Sequence, residues 1–227
     1  MTFTFGPGDA ARLLDACAAG VVVLGVLIAA TRSMGRAVWL VAAQAVLLAV
    51  AVAGVGVATN SIHLVGGGLL TLAARGIVVP LILFRILRAS PVRVERNAYL
   101  GPRASLVIAI AIVFAAAIAV DGATFGGATT GAISSARALP ASVAEVLTGL
   151  LIAMTRRKGL SIVIGLLVFE NGLALTAFSL TYGMPFVVEL GATFDLLLVI
   201  VAVGVYARRM LTVFGSLSTD QLRNLRG

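Results

Sequence analysis

The feature that most constrains this chain is a succession of seven long apolar segments separated by short gaps. A helix rises 1.5 Å per residue, so about 20 apolar residues are enough to cross the hydrocarbon core of a bilayer. The spacing therefore predicts an all-α, polytopic membrane protein with about seven transmembrane helices. The predicted spans are residues 10–31, 37–58, 62–86, 105–120, 139–155, 160–181 and 185–207.

Basic residues alternate between the gaps and predict how the chain is oriented. They follow the first, third, fifth and seventh segments, whereas the intervening gaps contain only Arg137. Because positively charged loops stay on the cytoplasmic side, the N-terminus is expected outside the cell and the C-terminus in the cytoplasm. An odd number of spans agrees with this pattern. The expected location is the inner (plasma) membrane.

The orientation leads to a labelling prediction. In a variant without Cys17, single cysteines placed in residues 156–158 and in residues 121–138 are expected to react from opposite sides of the membrane. A membrane-impermeant thiol reagent applied to sealed vesicles measures this. Reaction of both positions from the same side would contradict the seven-span topology.

Composition excludes several classes of function. Only 11% of the residues are charged, against about 25% in globular proteins, and the net charge of +8 lies in the short gaps. We interpret that charge as a topology signal and not as a nucleic-acid surface. One cysteine, Cys17, and one histidine, His63, supply neither a disulfide nor the ligands of an iron–sulfur, zinc or paired haem site. No cofactor is therefore expected. Residues 1–9 lack a basic n-region, so no cleaved signal peptide is expected either.

Two loops divide the chain into predicted units. Residues 1–121 would form an N-terminal group of four spans, residues 122–138 an external loop, and residues 139–227 a three-helix unit with a cytoplasmic tail. Within the third span, Gly66, Gly67 and Gly68 suit close helix packing in lipid. That glycine run lies inside a span without a following Lys–Ser/Thr pair, so it is not a phosphate-binding loop.

Four polar side chains fall at similar depths in four different spans: Gln44, Arg75, Glu170 and Asp195. Counted from the basic flank of each helix at 1.5 Å per residue, the two acids lie about 18–20 Å deep, Arg75 about 15 Å and Gln44 about 12 Å. Burying each of these polar side chains in the bilayer costs free energy. Random placement seldom puts four of them at similar depths, in one slab of the membrane. The two acids are candidates for a proton or ion path. The other candidates for this path are Arg75, Gln44, Glu189 and His63.

Two interpretations of these charges remain open. In the first, Arg75 pairs with one acid and only holds helices together, although desolvation offsets most of the gain from such a pair. In the second, desolvation and a nearby cation act in opposite directions on a carboxylate and let it exchange protons. Glu189 lies one turn inside the outer interface, where water can solvate it. Glu145 is expected to reach water from the outer part of its span, and His63 is expected at the outer membrane surface.

Five runs of the sequence carry a family resemblance: Pro185–Leu198, Arg156–Lys158, Gly165–Gly172 and Ser216–Gly227, together with Leu70–Pro80 in the N-terminal half. These runs resemble the hydrogenase-4 component E family, a membrane subunit of complex I-like group 4 [NiFe] hydrogenases of the formate hydrogenlyase type. The C-terminal part is in turn similar to the three-helix K-type subunit of complex I and to the C subunit of Mrp-type antiporters.

The resemblance implies roles for particular residues. Asp195 falls at the second membrane glutamate of the K-type proton route, one methylene shorter. The first membrane glutamate of that route falls at Leu167. Glu170 lies one helical turn away from Leu167, on nearly the same face of the helix. Arg75 stands where the family usually has a lysine, which gives up protons more readily than an arginine.

The resemblance also implies partners and a function. The expected partners are antiporter-like membrane subunits, the membrane anchor of a hydrogenase, and peripheral NiFe and iron–sulfur subunits that carry the redox chemistry. The chain itself would contribute buried carboxylates to proton or ion translocation. The alternatives are a structural scaffold subunit of such a complex and a subunit of an Mrp-type cation/proton antiporter.

Overall fold

The computed structural model describes residues 6–89, 94–95, 98–122 and 137–181. Apart from an isolated β-bridge between Ser33 and Val94, the regular secondary structure within these ranges is helical. The helices are α1 (Pro7–Ala30), α2 (Met34–Ala58), α3 (Ile62–Thr71), a π-helical segment (Leu72–Val78), α4 (Val79–Ala89), α5 (Pro102–Gly122), α6 (Ala138–Thr155) and α7 (Gly159–Thr181).

The described helices confirm that the protein is an all-helical, polytopic membrane protein. Six spans in the described residues are long and apolar enough to cross a bilayer: Pro7–Ala30, Met34–Ala58, Ile62–Arg88, Pro102–Val120, Ala138–Thr155 and Gly159–Ser179. They agree with the first six predicted spans to within a few residues. The seventh predicted span, residues 185–207, lies outside the described residues. The orientation and the division into units remain predictions.

The helices pack into one bundle in which α1 and α2 contact the C-terminal pair α6 and α7. One apolar cluster joins α1, α2, α4, α5, α6 and α7 around Val38, Leu83 and Val168. A second joins α1, α2, α6 and α7 around Leu14, Leu48 and Leu175. Because lipid is as apolar as these side chains, close van der Waals packing has to hold the helices together.

Small residues make that packing possible at two helix pairs. On the α6–α7 pair, a Cβ atom added to Gly165 would lie 2.5 Å from the Ala153 backbone nitrogen, and one added to Gly172 would lie 2.6 Å from that of Val146. On the α2–α3 pair, a Cβ atom at Gly68 would lie 2.9 Å from the Ala49 carbonyl oxygen. The expected close packing by the glycine run is therefore confirmed at Gly68.

Gly66 and Gly68 form a matched pair for testing this packing. Gly68→Ala is expected to lower the free energy of unfolding by about 1–3 kcal/mol, because α3 must move away from α2. A Cβ atom at Gly66 meets nothing within 4 Å, so Gly66→Ala is expected to be neutral or to stabilise by up to about 1 kcal/mol through helix propensity. Denaturant titration of the purified chain in detergent, followed by circular dichroism, measures both. Equal effects would contradict the packing described here.

The π-helical segment interrupts the third span just before a proline. Pro80 has no backbone N–H, and its ring conflicts with the carbonyl four residues earlier, so a regular α-turn cannot pass through this position unchanged. The wider π-turn absorbs that conflict. Such turns are frequent at functional sites, and this one contains Arg75.

Candidate functional site

An ion pair lies within the bundle between the third and sixth spans. The Nη2 atom of Arg75, in the π-helical segment, lies 3.5 Å from Oε2 of Glu170 on α7. Their side chains are 7% and 22% exposed. The structure therefore brings together two of the residues that the depth count placed in one slab, and it selects Glu170 as an acidic partner of Arg75.

Gln44 lies at the centre of a second polar cluster, which α1, α2, α6 and α7 build together. Its Nε2 atom donates to the carbonyl oxygen of Val21 at 2.9 Å and to Oε1 of Glu145. Its Oε1 atom accepts from Nδ2 of Asn171 at 3.5 Å. Gln44 is fully buried, so these bonds replace the water that its amide would otherwise bind.

The expectation for Glu145 was wrong. Glu145 does not reach water, because its side chain is enclosed by helices and the residue is only 1% exposed. Gly25 on α1 makes room for the carboxyl group: a Cβ atom at Gly25 would lie 2.6 Å from Glu145 Oε1 and closer still to Oε2. Counting from Arg156 instead of from the outer end of the span puts Glu145 about 16 Å deep. This depth is the sequence signal that could have predicted the burial of Glu145.

The two clusters lie on different sides of α7. Glu170 and Asn171 are neighbours in sequence, and successive residues on an α-helix point about 100° apart. Glu170 therefore turns toward Arg75 while Asn171 turns toward Gln44. Asn171 is a site residue that the sequence reasoning missed.

The other predicted site residues are not part of these clusters. His63 is exposed in the first turn of α3, and its position at the outer membrane surface remains a prediction. Glu189 and Asp195 lie outside the described residues, so their roles remain predictions.

A buried ion pair also closes the end of the bundle at which the basic loops lie. Glu95, in the connection after α4, is 1% exposed at its side chain, and its Oε2 atom lies 3.5 Å from Nη1 of Arg156. Glu95 Oε1 accepts from the backbone N–H groups of Arg157 at 2.9 Å and Lys158 at 3.4 Å. We call Glu95, Arg156, Arg157 and Lys158 the basic-end junction.

Arg156 also joins this junction to α1. Its Nη2 atom donates to the carbonyl oxygens of Ala29 at 2.7 Å and Thr31 at 3.0 Å, at the end of that helix. Burial lowers the pKa of the Arg156 guanidinium below its ordinary value, and the charge of Glu95 acts in the opposite direction. An arginine stays protonated despite such a shift, so the pair is ionic. Sequence reasoning took Arg156 as a topology signal only; a lone glutamate among arginines was the available clue.

Comparison with known proteins gives two relationships. The chain is 34% identical over 217 residues to the uncharacterized protein Rv0085 of Mycobacterium tuberculosis, which covers 94% of this chain and 96% of that protein. It is 28% identical over 151 residues to hydrogenase-4 component E of Escherichia coli, which covers 66% of this chain and 68% of that protein. The component E of Shigella flexneri matches to the same extent.

No family profile matches the chain, and no solved structure matches it. The relationship to the mycobacterial protein, however, extends over nearly the full length of both chains. Six apolar helices in the described residues agree with a multi-pass membrane protein. This chain therefore belongs to the family of multi-pass membrane proteins that includes protein Rv0085 of Mycobacterium tuberculosis.

Proposed function

We propose that this chain is a membrane subunit of a hydrogenase-4-type, complex I-like energy-converting complex of the inner membrane, and that the Arg75–Glu170 pair lies on its proton path. The similarity to hydrogenase-4 component E supports the class of complex. The observation that carries the proton path is an ion pair about 15–18 Å inside the bilayer by helical rise. Ionisable residues at such depth are rare and mark ion or proton routes by default.

The geometry of the pair suits an exchangeable proton. Burial disfavours the ionised carboxyl group of Glu170, whereas the Arg75 guanidinium at 3.5 Å favours it. Because the two effects oppose each other, a modest change in the surroundings is enough to load or release a proton. Glu170 remains 22% exposed, so its side chain is not fully enclosed by this chain. Arg75 keeps its charge and tunes the acid.

Further residues extend the proposed path beyond the pair. Asp195 and Glu189 on the seventh predicted span, residues 185–207, would continue it, and His63 would stand near its outer end. Gln44 contributes a buried amide at a similar depth. Neutralising Asp195 with Asn is expected to abolish proton translocation as Glu170→Gln does. An unchanged translocation rate in that variant would remove Asp195 from the path.

The scaffold alternative is favoured by the same ion pair, because Arg75 and Glu170 also join two helices that are distant in sequence. In that case the pair would be needed for assembly and not for proton movement. The two functions make different predictions for charge-neutral variants of the pair, which are considered below.

Co-purification tests membership in the complex. The full chain, tagged at one terminus and extracted in a mild detergent, is expected to bring with it antiporter-like subunits, a hydrogenase membrane anchor, and NiFe and iron–sulfur subunits, of the formate hydrogenlyase type. Mass spectrometry identifies them, and the same extraction from untagged cells is the control. Antiporter-like subunits without hydrogenase subunits would favour the antiporter alternative. Recovery of a lone, stable monomer would contradict the proposal.

A further inference from the structure

Glu145 is a second buried acid, and its surroundings differ from those of Glu170. Both residues lie near the middle of their spans, but Glu170 has the Arg75 guanidinium beside it. Glu145 is 1% exposed, and within the described residues its carboxyl group has one hydrogen-bond partner, Gln44. Among the described residues, no hydrogen-bond partner reaches its Oε2 atom.

No cation compensates Glu145 within the described part of the chain. Its helix, α6, packs against α1, α5 and α7, and the cluster is completed by α2. None of the described ionisable side chains on these helices forms an ion pair with Glu145. Those side chains are Asp9, Arg12, Asp15 and Cys17 on α1, Arg36 on α2, Arg103 on α5, and Glu170 on α7.

The hydrogen bonds around Glu145 fit a neutral acid. Gln44 uses its Nε2 atom for both Val21 and Glu145 Oε1, so Oε1 is the accepting, carbonyl-type oxygen. Asn171 donates to Oε1 of Gln44 and so holds the amide in the orientation that turns Nε2 toward Glu145. Oε2 is then the oxygen that carries the proton, beside Gly25. An ionised carboxyl group with a single neutral donor would be uncompensated at this depth.

We propose that Glu145 is a second proton-binding site of the bundle, loaded at neutral pH, with Gln44 and Asn171 as positioning residues. Release breaks the Oε2–H bond, leaves the electron pair on the carboxylate, and passes the proton to a water molecule. Uptake reverses these steps. The inference does not depend on the hydrogenase assignment, because it follows from the burial and bonding of this chain alone.

Infrared spectroscopy of the full chain in lipid nanodiscs, with any subunits that accompany it, tests the proposal. At neutral pH the protein is expected to show the carbonyl stretch of a protonated carboxylic acid, shifted in D₂O because the proton exchanges. The difference spectrum between the unmodified chain and Glu145→Gln should contain this band in full. Glu170→Gln serves as the matched control and should retain it.

A second variant keeps the test decisive if Glu145→Gln does not fold. Gln44→Leu retains the acid but removes the donor to its carbonyl oxygen, so the band is expected to move to higher frequency. The absence of any protonated-carboxyl band, its persistence in Glu145→Gln, or its loss in Glu170→Gln alone would overturn the proposal. If Glu145→Gln does not fold, an unmoved band in Gln44→Leu would overturn it likewise.

Discussion

Arg156→Met is expected to lower the free energy of unfolding by about 3–5 kcal/mol, because it leaves the carboxylate of Glu95 buried without its cation. The side chain of Glu95 is 1% exposed, so water cannot replace the guanidinium without opening the basic-end junction. The carbonyl oxygens of Ala29 and Thr31 lose their donor at the same time. Denaturant unfolding in detergent, followed by circular dichroism, measures the loss.

Two further variants show whether the pair itself is responsible. Arg103→Met removes an exposed arginine from the start of α5 and is expected to change stability by no more than about 0.5 kcal/mol. Glu95→Gln combined with Arg156→Met removes both charges and is expected to recover much of the loss. A double variant as unstable as the sum of the two single variants would show that Glu95 and Arg156 do not act as a pair.

Glu170→Gln is expected to abolish proton translocation by the assembled complex while the complex still forms. The change keeps the size and most of the hydrogen bonding of the side chain but removes the exchangeable proton. Proton uptake into sealed vesicles, measured with a pH-sensitive dye during turnover, reports translocation, and the recovery of subunits after extraction reports assembly. Asp9→Asn, at the exposed start of α1, is the control and should leave both unchanged.

The scaffold function predicts a different result for the same pair. If Arg75 and Glu170 only hold helices together, Glu170→Gln leaves a buried cation unpaired, which costs about 3–5 kcal/mol and appears as lost assembly. Adding Arg75→Gln would then restore assembly and, with it, translocation. If the pair instead lies on the proton path, the double variant is expected to assemble but still not to translocate protons. Normal assembly with normal translocation in Glu170→Gln would contradict both functions.

Much of the architecture follows directly from the sequence. A segment of about 20 apolar residues in lipid has to satisfy its own backbone hydrogen bonds, and a helix does so within the segment. The bounds of the six described spans therefore agree with the prediction to within a few residues. Depth could also be read from the sequence, because helical rise is constant. The count gave Arg75 and Glu170 similar depths, and the structure brings these two side chains to 3.5 Å from each other.

The tertiary structure decided which of these side chains meet. The spans are apolar on all sides, so no amphipathic pattern indicates how each helix is rotated about its axis. Rotation depends instead on where small residues let two backbones approach, as Gly68 and Gly165 do. For this reason the sequence did not show whether Arg75 pairs with Glu170. It also did not show that Glu145 is enclosed between Gly25 and Gln44. The burial of Glu95 could not be predicted from the sequence either, because it depends on contact between the connection after α4 and the loop that contains Arg156.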